Sequence, residues 1–210
     1  MILCDIGNTT YHFKDGKKDF RIFLDDDIPK FNKKIYFISV NDKATAKLLK
    51  RYPQSINLKD IVTFTTTYKG IGVDRIIACS GVKNGIIIDV GSAITIDIMK
   101  NGNHLGGFIL PGFRALRKIY PQISKKLKFN FEKNINLDKI PLDTTTAINY
   151  SIYSMIIEPI LKIEKKYKIN IFITGGDGKL LLPYLKKYKV KYNKNLIFKN
   201  MKKIIKENRC

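Results

Sequence analysis

Two stretches of this chain start alike and then follow one plan, and that repetition restricts the fold more than any other feature. Ile2-Leu3-Cys4-Asp5-Ile6-Gly7 lines up with Ile86-Ile87-Ile88-Asp89-Val90-Gly91. Each is a short apolar run ending in an Asp-x-Gly turn. After the first, residues 10–13 continue extended to the turn Asp15-Gly16, and residues 20–24 read as a third strand. After the second, residues 93–99 run to the turn Asn101-Gly102, and residues 104–110 form the third strand. Three antiparallel strands followed by alternating helix and strand, written twice, predict two α/β halves facing each other across a cleft.

The rest of the pattern fits that plan. Residues 35–40 read as a buried strand, and Asn41 or Asp42 caps the helix that follows, which carries Ala44, Ala46, Leu48 and Leu49. A short strand is expected at 62–64 and a helix at 74–82. In the second half, Pro111-Gly112 opens a helix reaching about residue 127, and a long amphipathic segment covers 146–167. A strand at 171–173 runs into Thr174-Gly175-Gly176-Asp177-Gly178, and a helix at 180–188 follows. Ile197, Met201, Ile204 and Ile205 share one face of a last helix, expected over about 196–210. The predicted division is an N-terminal half, 1–82, on which that last helix packs, and a C-terminal half, 83–195.

The net charge of +21 raises the question of nucleic acid. The lysines are spread over the whole chain, and no patch interleaves them with aromatic residues as a base-stacking platform would. Neither nucleic acid nor a membrane is expected as a partner. No run approaches the roughly 20 apolar residues of a membrane span, and the start of the chain lacks a secretory pattern, so a cytoplasmic protein is expected. Cys4, Cys79 and Cys210 have no metal-ligand spacing and read as reduced thiols, with Cys4 in a buried strand and Cys79 in a buried helix. His12 and His104 have no metal-type neighbours and read as structural.

The motifs suit phosphoryl transfer, which is largely a matter of positioning and electrostatic stabilisation. Gly7 and Gly91 can take backbone angles closed to other residues and let a ligand approach the main chain. The turn N–H groups, with the hydroxyls of Thr9, Thr10, Ser92 and Thr95, can bind phosphate oxygens. Asp5 and Asp89 can hold a cation that neutralises those phosphates. In Gly72-Val73-Asp74-Arg75, Asp74 could accept the proton of an attacking hydroxyl, with Arg75 orienting it or binding a carboxylate. A helix-start salt bridge would explain the same pair equally well. Paired glycines in Thr174-Gly175-Gly176-Asp177-Gly178 let a ligand lie against the backbone. The Gly pair of Gly106-Gly107-Phe108-Ile109-Leu110-Pro111-Gly112 combines packing with close approach to a bare backbone.

As an ordered set, Asp5-Ile6-Gly7-Asn8-Thr9, Gly72-Val73-Asp74-Arg75, Asp89-Val90-Gly91-Ser92-Ala93-Ile94-Thr95, the Gly106–Gly112 segment and Thr174-Gly175-Gly176-Asp177-Gly178 resemble the type III pantothenate kinases over nearly the whole chain. The resemblance implies the fold of the acetate and sugar kinase/Hsp70/actin superfamily: α/β, with duplicated actin-like (ribonuclease H-like) halves, mixed sheets flanked by helices and an ATP cleft. It implies a homodimer that phosphorylates pantothenate to 4'-phosphopantothenate with ATP, the first step of coenzyme A biosynthesis. Magnesium and a monovalent cation, potassium or ammonium, are implied as cofactors.

Carried over by position, Asp5, Ile6, Gly7, Asn8, Thr9, Thr10, Tyr11 and His12 correspond to the ATP phosphate-binding segment, with Asp5 also a magnesium ligand. Gly72, Val73, Asp74 and Arg75 correspond to the pantothenate-binding motif, with Asp74 as proton acceptor. Asp89 corresponds to the monovalent-cation ligand. Ser92 stands where the family has a Thr that contacts ATP, and it keeps the hydroxyl. Thr144 corresponds to a Thr that reaches pantothenate, with Thr145 and Thr146 as alternatives, since Ser151 replaces a Gly usual a few residues on. Tyr68 corresponds to a substrate-side Tyr at shorter spacing. Two other functions remain open on the residues: another sugar or carboxylate kinase of the same superfamily, and a non-catalytic nucleotide-binding regulator.

Overall fold

The computed structural model describes residues 1–208. It divides into two compact units, Met1–Gly81 with the C-terminal segment from Leu196, and Val82–Asn195.

The first unit is built on a five-stranded sheet of order β3-β2-β1-β4-β5. Strands β1 (Ile2–Ile6), β2 (Thr10–Asp15) and β3 (Lys18–Phe23) form an antiparallel meander. Strands β4 (Ile35–Ser39) and β5 (Ile56–Asn57) then add in parallel on the other side of β1. Alternation sorts the side chains. Ile2, Cys4, Ile6, Tyr11 and Phe13 form one core with Ala44 and Leu48 of helix α1 (Asp42–Arg51). Leu3, Tyr36 and Ile38 form another with α2 (Val73–Cys79) and α6 (Leu196–Glu207). Asn41 caps α1, its Oδ1 accepting from Ala44 N–H at 2.9 Å. Leu48 is fully buried, so truncating it to Ala would cost about 2–5 kcal/mol.

The second unit repeats the order. Its sheet reads β10-β9-β6-β7-β8, which is the first sheet's order with β6, β7, β8, β9 and β10 standing for β1 to β5. Strands β6 (Gly85–Val90), β7 (Ala93–Lys100) and β8 (Asn103–Pro111) are antiparallel, whereas β9 (Ile171–Thr174) and β10 (Val190–Tyr192) are parallel to β6. Ile86, Ile88, Val90, Ile94 and Ile96 face a core shared with α3 (Phe113–Ile123) and α4 (Thr144–Tyr167).

Several elements differ from expectation. Residues 62–64 are not a strand; the fifth strand lies earlier, at Ile56–Asn57. Helix α2 stops at Cys79 because Gly81 takes a left-handed φ of +81°. Helix α3 ends at Ile123 because Ser124 is extended (φ −158°, ψ 138°), and a 3-10 turn at Lys125–Leu127 follows. The helix expected over 180–188 is a 3-10 turn, Gly178–Leu181, leading into the short α5 (Leu182–Leu185). Cys4 and Cys79 are buried as expected; burial, then the neighbouring Asp5, pushes the Cys4 thiol well up. Cys210 and the end of the predicted last helix lie outside the described residues. Among the described residues no helix is long and apolar enough to cross a membrane.

Candidate active site

Ligands of open α/β sheets gather at the carboxyl ends of parallel strands, and each unit brings its motifs there. In the first unit, β1 pairs with β4 in the register Asp5↔Ile38 and Ile6↔Ser39. Val40 N–H extends that pairing to Ile6 O at 3.1 Å. A Cβ added to Gly72 would lie 3.7 Å from Val40 Cγ1. The start of α2 therefore stands at the strand end from which the Asp5 turn springs.

Gly72 is the extended N-cap of α2 (φ −66°, ψ 146°) and offers no side-chain cap. Asp74 serves this end instead, its Oδ1 accepting from Arg75 N–H at 2.8 Å. A Cβ at Gly72 would overlap Asp74 Oδ1, so the absent side chain makes room for the carboxylate. Arg75 is only 4% exposed, and its guanidinium lies 4.6 Å from the Tyr68 ring centroid. Tyr68 and Arg75 thus come together next to Asp74, although the spacing of Tyr68 in the sequence is short.

The 5–12 segment is uneven. Asn8 and Thr9 are exposed at the turn, Asp5, Gly7 and Thr10 are half-buried, and Gly7 N–H closes the turn on Thr10 O at 3.0 Å. Ile6 and Tyr11 are fully buried, and the Tyr11 hydroxyl donates to Ala44 O at 2.9 Å. Burial pushes the Tyr11 pKa up. These two side chains belong to the core, and only their backbone can meet a ligand.

His12 pairs with Asp5 across the strands, and its ring is already engaged. Nε2 lies 2.7 Å from Asp19 Oδ1, and Arg21 Nη2 lies 3.1 Å from Nδ1. Arg can only donate, so Nδ1 accepts and Nε2 carries the proton. Burial lowers the His12 pKa, against the pull of the Asp19 hydrogen bond and with help from Arg21. Burial raises the Asp19 pKa, but hydrogen bonds from His12 and Lys14 outweigh it and hold the carboxyl low.

The second unit holds Asp89 and Ser92. Asp89 is half-buried at the end of β6, opposite Thr95 on β7 and Thr174 on β9. Ser92 is exposed at the turn, where Gly91 N–H donates to Ala93 O at 3.0 Å. Gly175 requires its glycine: φ is +88°, and a Cβ there would stand 2.5 Å from Asp89 Oδ1. Asp177 N–H also donates to Val90 O at 3.2 Å, which ties the turn after β9 to the Asp89 strand. Neither Gly7 nor Gly91 takes a left-handed angle, contrary to the dihedral role expected for them. What they leave is space, since a Cβ would touch only a backbone oxygen at 3.8 Å or 3.7 Å.

At the start of α4, Asp143 is the N-cap, accepting from Thr146 N–H at 2.9 Å. That bond, then the Thr146 hydroxyl, holds the Asp143 carboxyl below its usual range. Thr146 is thereby committed to the cap, Thr145 O accepts from Asn149 Nδ2 at 3.0 Å, and Thr144 is exposed. No group of three or more His, Cys, Asp or Glu that could hold a metal occurs among the described residues. Asp5 and Asp89 could each offer carboxylate oxygens to a cation, hard donors of the kind magnesium takes.

The sequence reading missed the histidine partners. His104 Nε2 lies 2.8 Å from Asp97 Oδ1, both side chains being essentially inaccessible. Both pairs span seven residues around a two-residue hairpin turn, Gly16-Lys17 or Asn101-Gly102, and that spacing was the available signal.

Two five-stranded mixed sheets of one order, each with an acidic turn at the carboxyl end of its parallel strands, define a duplicated actin-like fold of the kind used by phosphoryl-transferring enzymes. Among solved structures, the chain is similar to EutJ of Carboxydothermus hydrogenoformans (TM-score 0.51, 11% identity, 94% of this chain and 85% of that one). It is far more similar to a Campylobacter jejuni protein assigned to the Baf family of transcriptional activators (TM-score 0.84, 40% identity, 100% and 99%). The type III pantothenate kinase family model matches residues 39–166. Relatives of that name include one from Campylobacter jejuni strain RM1221, 43% identical over 99% of this chain and 98% of its own length. Another, from Helicobacter hepaticus, is 38% identical over 98% of each. The chain belongs to the type III pantothenate kinase family.

Proposed function

We propose that this chain phosphorylates the terminal hydroxyl of pantothenate with ATP, giving 4'-phosphopantothenate for coenzyme A synthesis. The observation that carries the reading is the start of α2. There Asp74 sits in room left by Gly72, beside a buried Arg75 stacked on Tyr68, in a chain of this family. Asp74 takes the hydroxyl proton as the oxygen attacks the γ-phosphate. Arg75 and Tyr68 lie on the substrate side, and the planar guanidinium is suited to a carboxylate such as that of pantothenate. The exposed hydroxyl of Thr144 is favoured as a further pantothenate contact, because Thr146 is committed to the Asp143 cap.

The backbone of 6–10, with the side chains of Asn8, Thr9 and Ser92, binds ATP phosphates. His12 contributes through its backbone and by fixing β2 beside Asp5. Asp5 would hold magnesium and Asp89 the monovalent cation, each a source of positive charge against phosphate oxygens. The working form is a homodimer in the cytoplasm, acting without nucleic acid or membrane, and its functional halves are residues 1–82 with the last helix, and 83–195.

The test is ADP release measured with pantothenate, hexoses and short carboxylic acids as acceptors, with and without potassium, and a parallel DNA-binding titration. Potassium-dependent turnover with pantothenate alone is expected. Turnover only with another acceptor would overturn the substrate. No turnover together with salt-sensitive DNA binding would favour the regulator that the charge of +21 and the Baf assignment point to.

A further inference from the structure

We infer that Asn200, on the last helix, is a positioning residue for Asp74; this rests on the reading of Asp74 as proton acceptor. Helix α2 has only seven residues, Val73–Cys79, far fewer than a helix needs to hold itself in water. Its N-cap, Gly72, provides no side chain. The orphan carbonyls at its other end are met from two sources. Ser80 is local: its N–H donates to Ile76 O and Ile77 O, and its hydroxyl to Ile76 O at 2.8 Å. The second source is more than a hundred residues away in sequence. Asn200 Nδ2 donates to Ile77 O at 2.8 Å and to Ala78 O at 3.2 Å. Asn200 is 7% exposed, so this cap is little diluted by water.

The same helix grips the strand beside Asp5. Phe198 packs in one core with Val73 and Ile77, and its ring meets the His12 ring edge-on at 4.7 Å. His12 is the cross-strand partner of Asp5. Helix α6 is therefore a brace between the phosphate-side strand and the helix that starts with the proton acceptor. Asn200 is its polar pin: it fixes the far end of α2 and so the direction in which Asp74 is held.

The full-length chain is tested as Asn200→Ala and Asn200→Leu, the second keeping the branched shape without the donor in case the first does not fold. Leu48→Ala, in the α1 core of the same unit, serves as a stability control. Pantothenate phosphorylation is measured with hydrogen exchange over residues 73–80. Both Asn200 variants are expected to lose about tenfold or more in kcat, to keep KM for ATP within about twofold, and to exchange about tenfold faster over 73–80. Leu48→Ala is expected to melt earlier with its kcat kept. Unchanged exchange over 73–80, an unchanged kcat in a folded Asn200 variant, or an equal kcat loss in Leu48→Ala would each overturn the brace. Full activity in Asp74→Asn would overturn instead the premise about Asp74, a result that the exchange data, which do not depend on chemistry at Asp74, would distinguish.

Discussion

Replacing Gly72 by Ala is a small change that ought to separate activity from stability. The new methyl would overlap Asp74 Oδ1, and its next nearest neighbours would be Asp74 Cγ at 3.6 Å and Val40 Cγ1 at 3.7 Å. Non-bonded heavy atoms settle at roughly 3.5–4.0 Å, so the carboxylate oxygen must retreat by about 1 Å. It can do so by rotating, because it is the end of a side chain, at a cost of about 0.5–1.5 kcal/mol. The Gly72 backbone is no obstacle, since φ −66° and ψ 146° suit alanine. The fold should therefore survive while the proton acceptor loses its aim. A misplacement of about 1 Å can cost about 100-fold in rate, equivalent to about 2.7 kcal/mol of barrier. The assay is coupled ADP release with kcat and both KM values, beside a thermal melt. A kcat loss of about 100-fold with KM for ATP little changed is expected. A Gly72→Ala enzyme within about twofold of the parent kcat would refute the placement of Asp74.

Three further outcomes follow from the same geometry. Asp74→Asn removes the acceptor and should lower kcat by about 10²–10⁴-fold; parental turnover in a coupled assay would contradict the role. Gly175→Ala places a methyl against the Val90 backbone and 2.5 Å from Asp89 Oδ1 at φ +88°; it should cost at least the backbone strain of about 1–3 kcal/mol in a denaturant titration and raise the potassium concentration for half-activation, and an unchanged potassium response would count against Asp89 as the cation ligand. The low His12 pKa means that an unfolded chain takes up a proton before the folded one. The part of the stability linked to His12 should be complete above about pH 6.5 and be lost as pH falls through the folded value. Arg21→Met should raise the His12 midpoint in an NMR titration and Asp19→Asn lower it, and no movement in either would contradict the network.

What the sequence disclosed was the part written in local patterns. Apolar runs ending in Asp-x-Gly placed β1 and β6, and the turns Asp15-Gly16 and Asn101-Gly102 placed their hairpins, so the duplicated order followed. The edge strands β5 and β10 have two and three residues, too few to show a period. The helix expected over 180–188 shortened into a 3-10 turn and one turn of α-helix, because apolar spacing does not distinguish the two at that length. Partners brought together only by folding left the faintest trace. Asn200 beneath α2 reads in sequence as an ordinary polar residue on an amphipathic helix, and its two bonds to Ile77 and Ala78 join positions more than a hundred residues apart. The acidic turns were legible as chemistry, but the commitment of Tyr11 to Ala44 and of His12 to Asp19 and Arg21 required the register of β1, β2 and β3.

The most direct test is a crystal structure with a non-hydrolysable ATP analogue, magnesium, potassium and pantothenate bound. The role of Asp74 as proton acceptor requires one of its carboxylate oxygens about 2.6–3.2 Å from the terminal hydroxyl of pantothenate, with that hydroxyl directed at the γ-phosphate. Pantothenate bound with its hydroxyl beyond the reach of Asp74, even through one water, would contradict it.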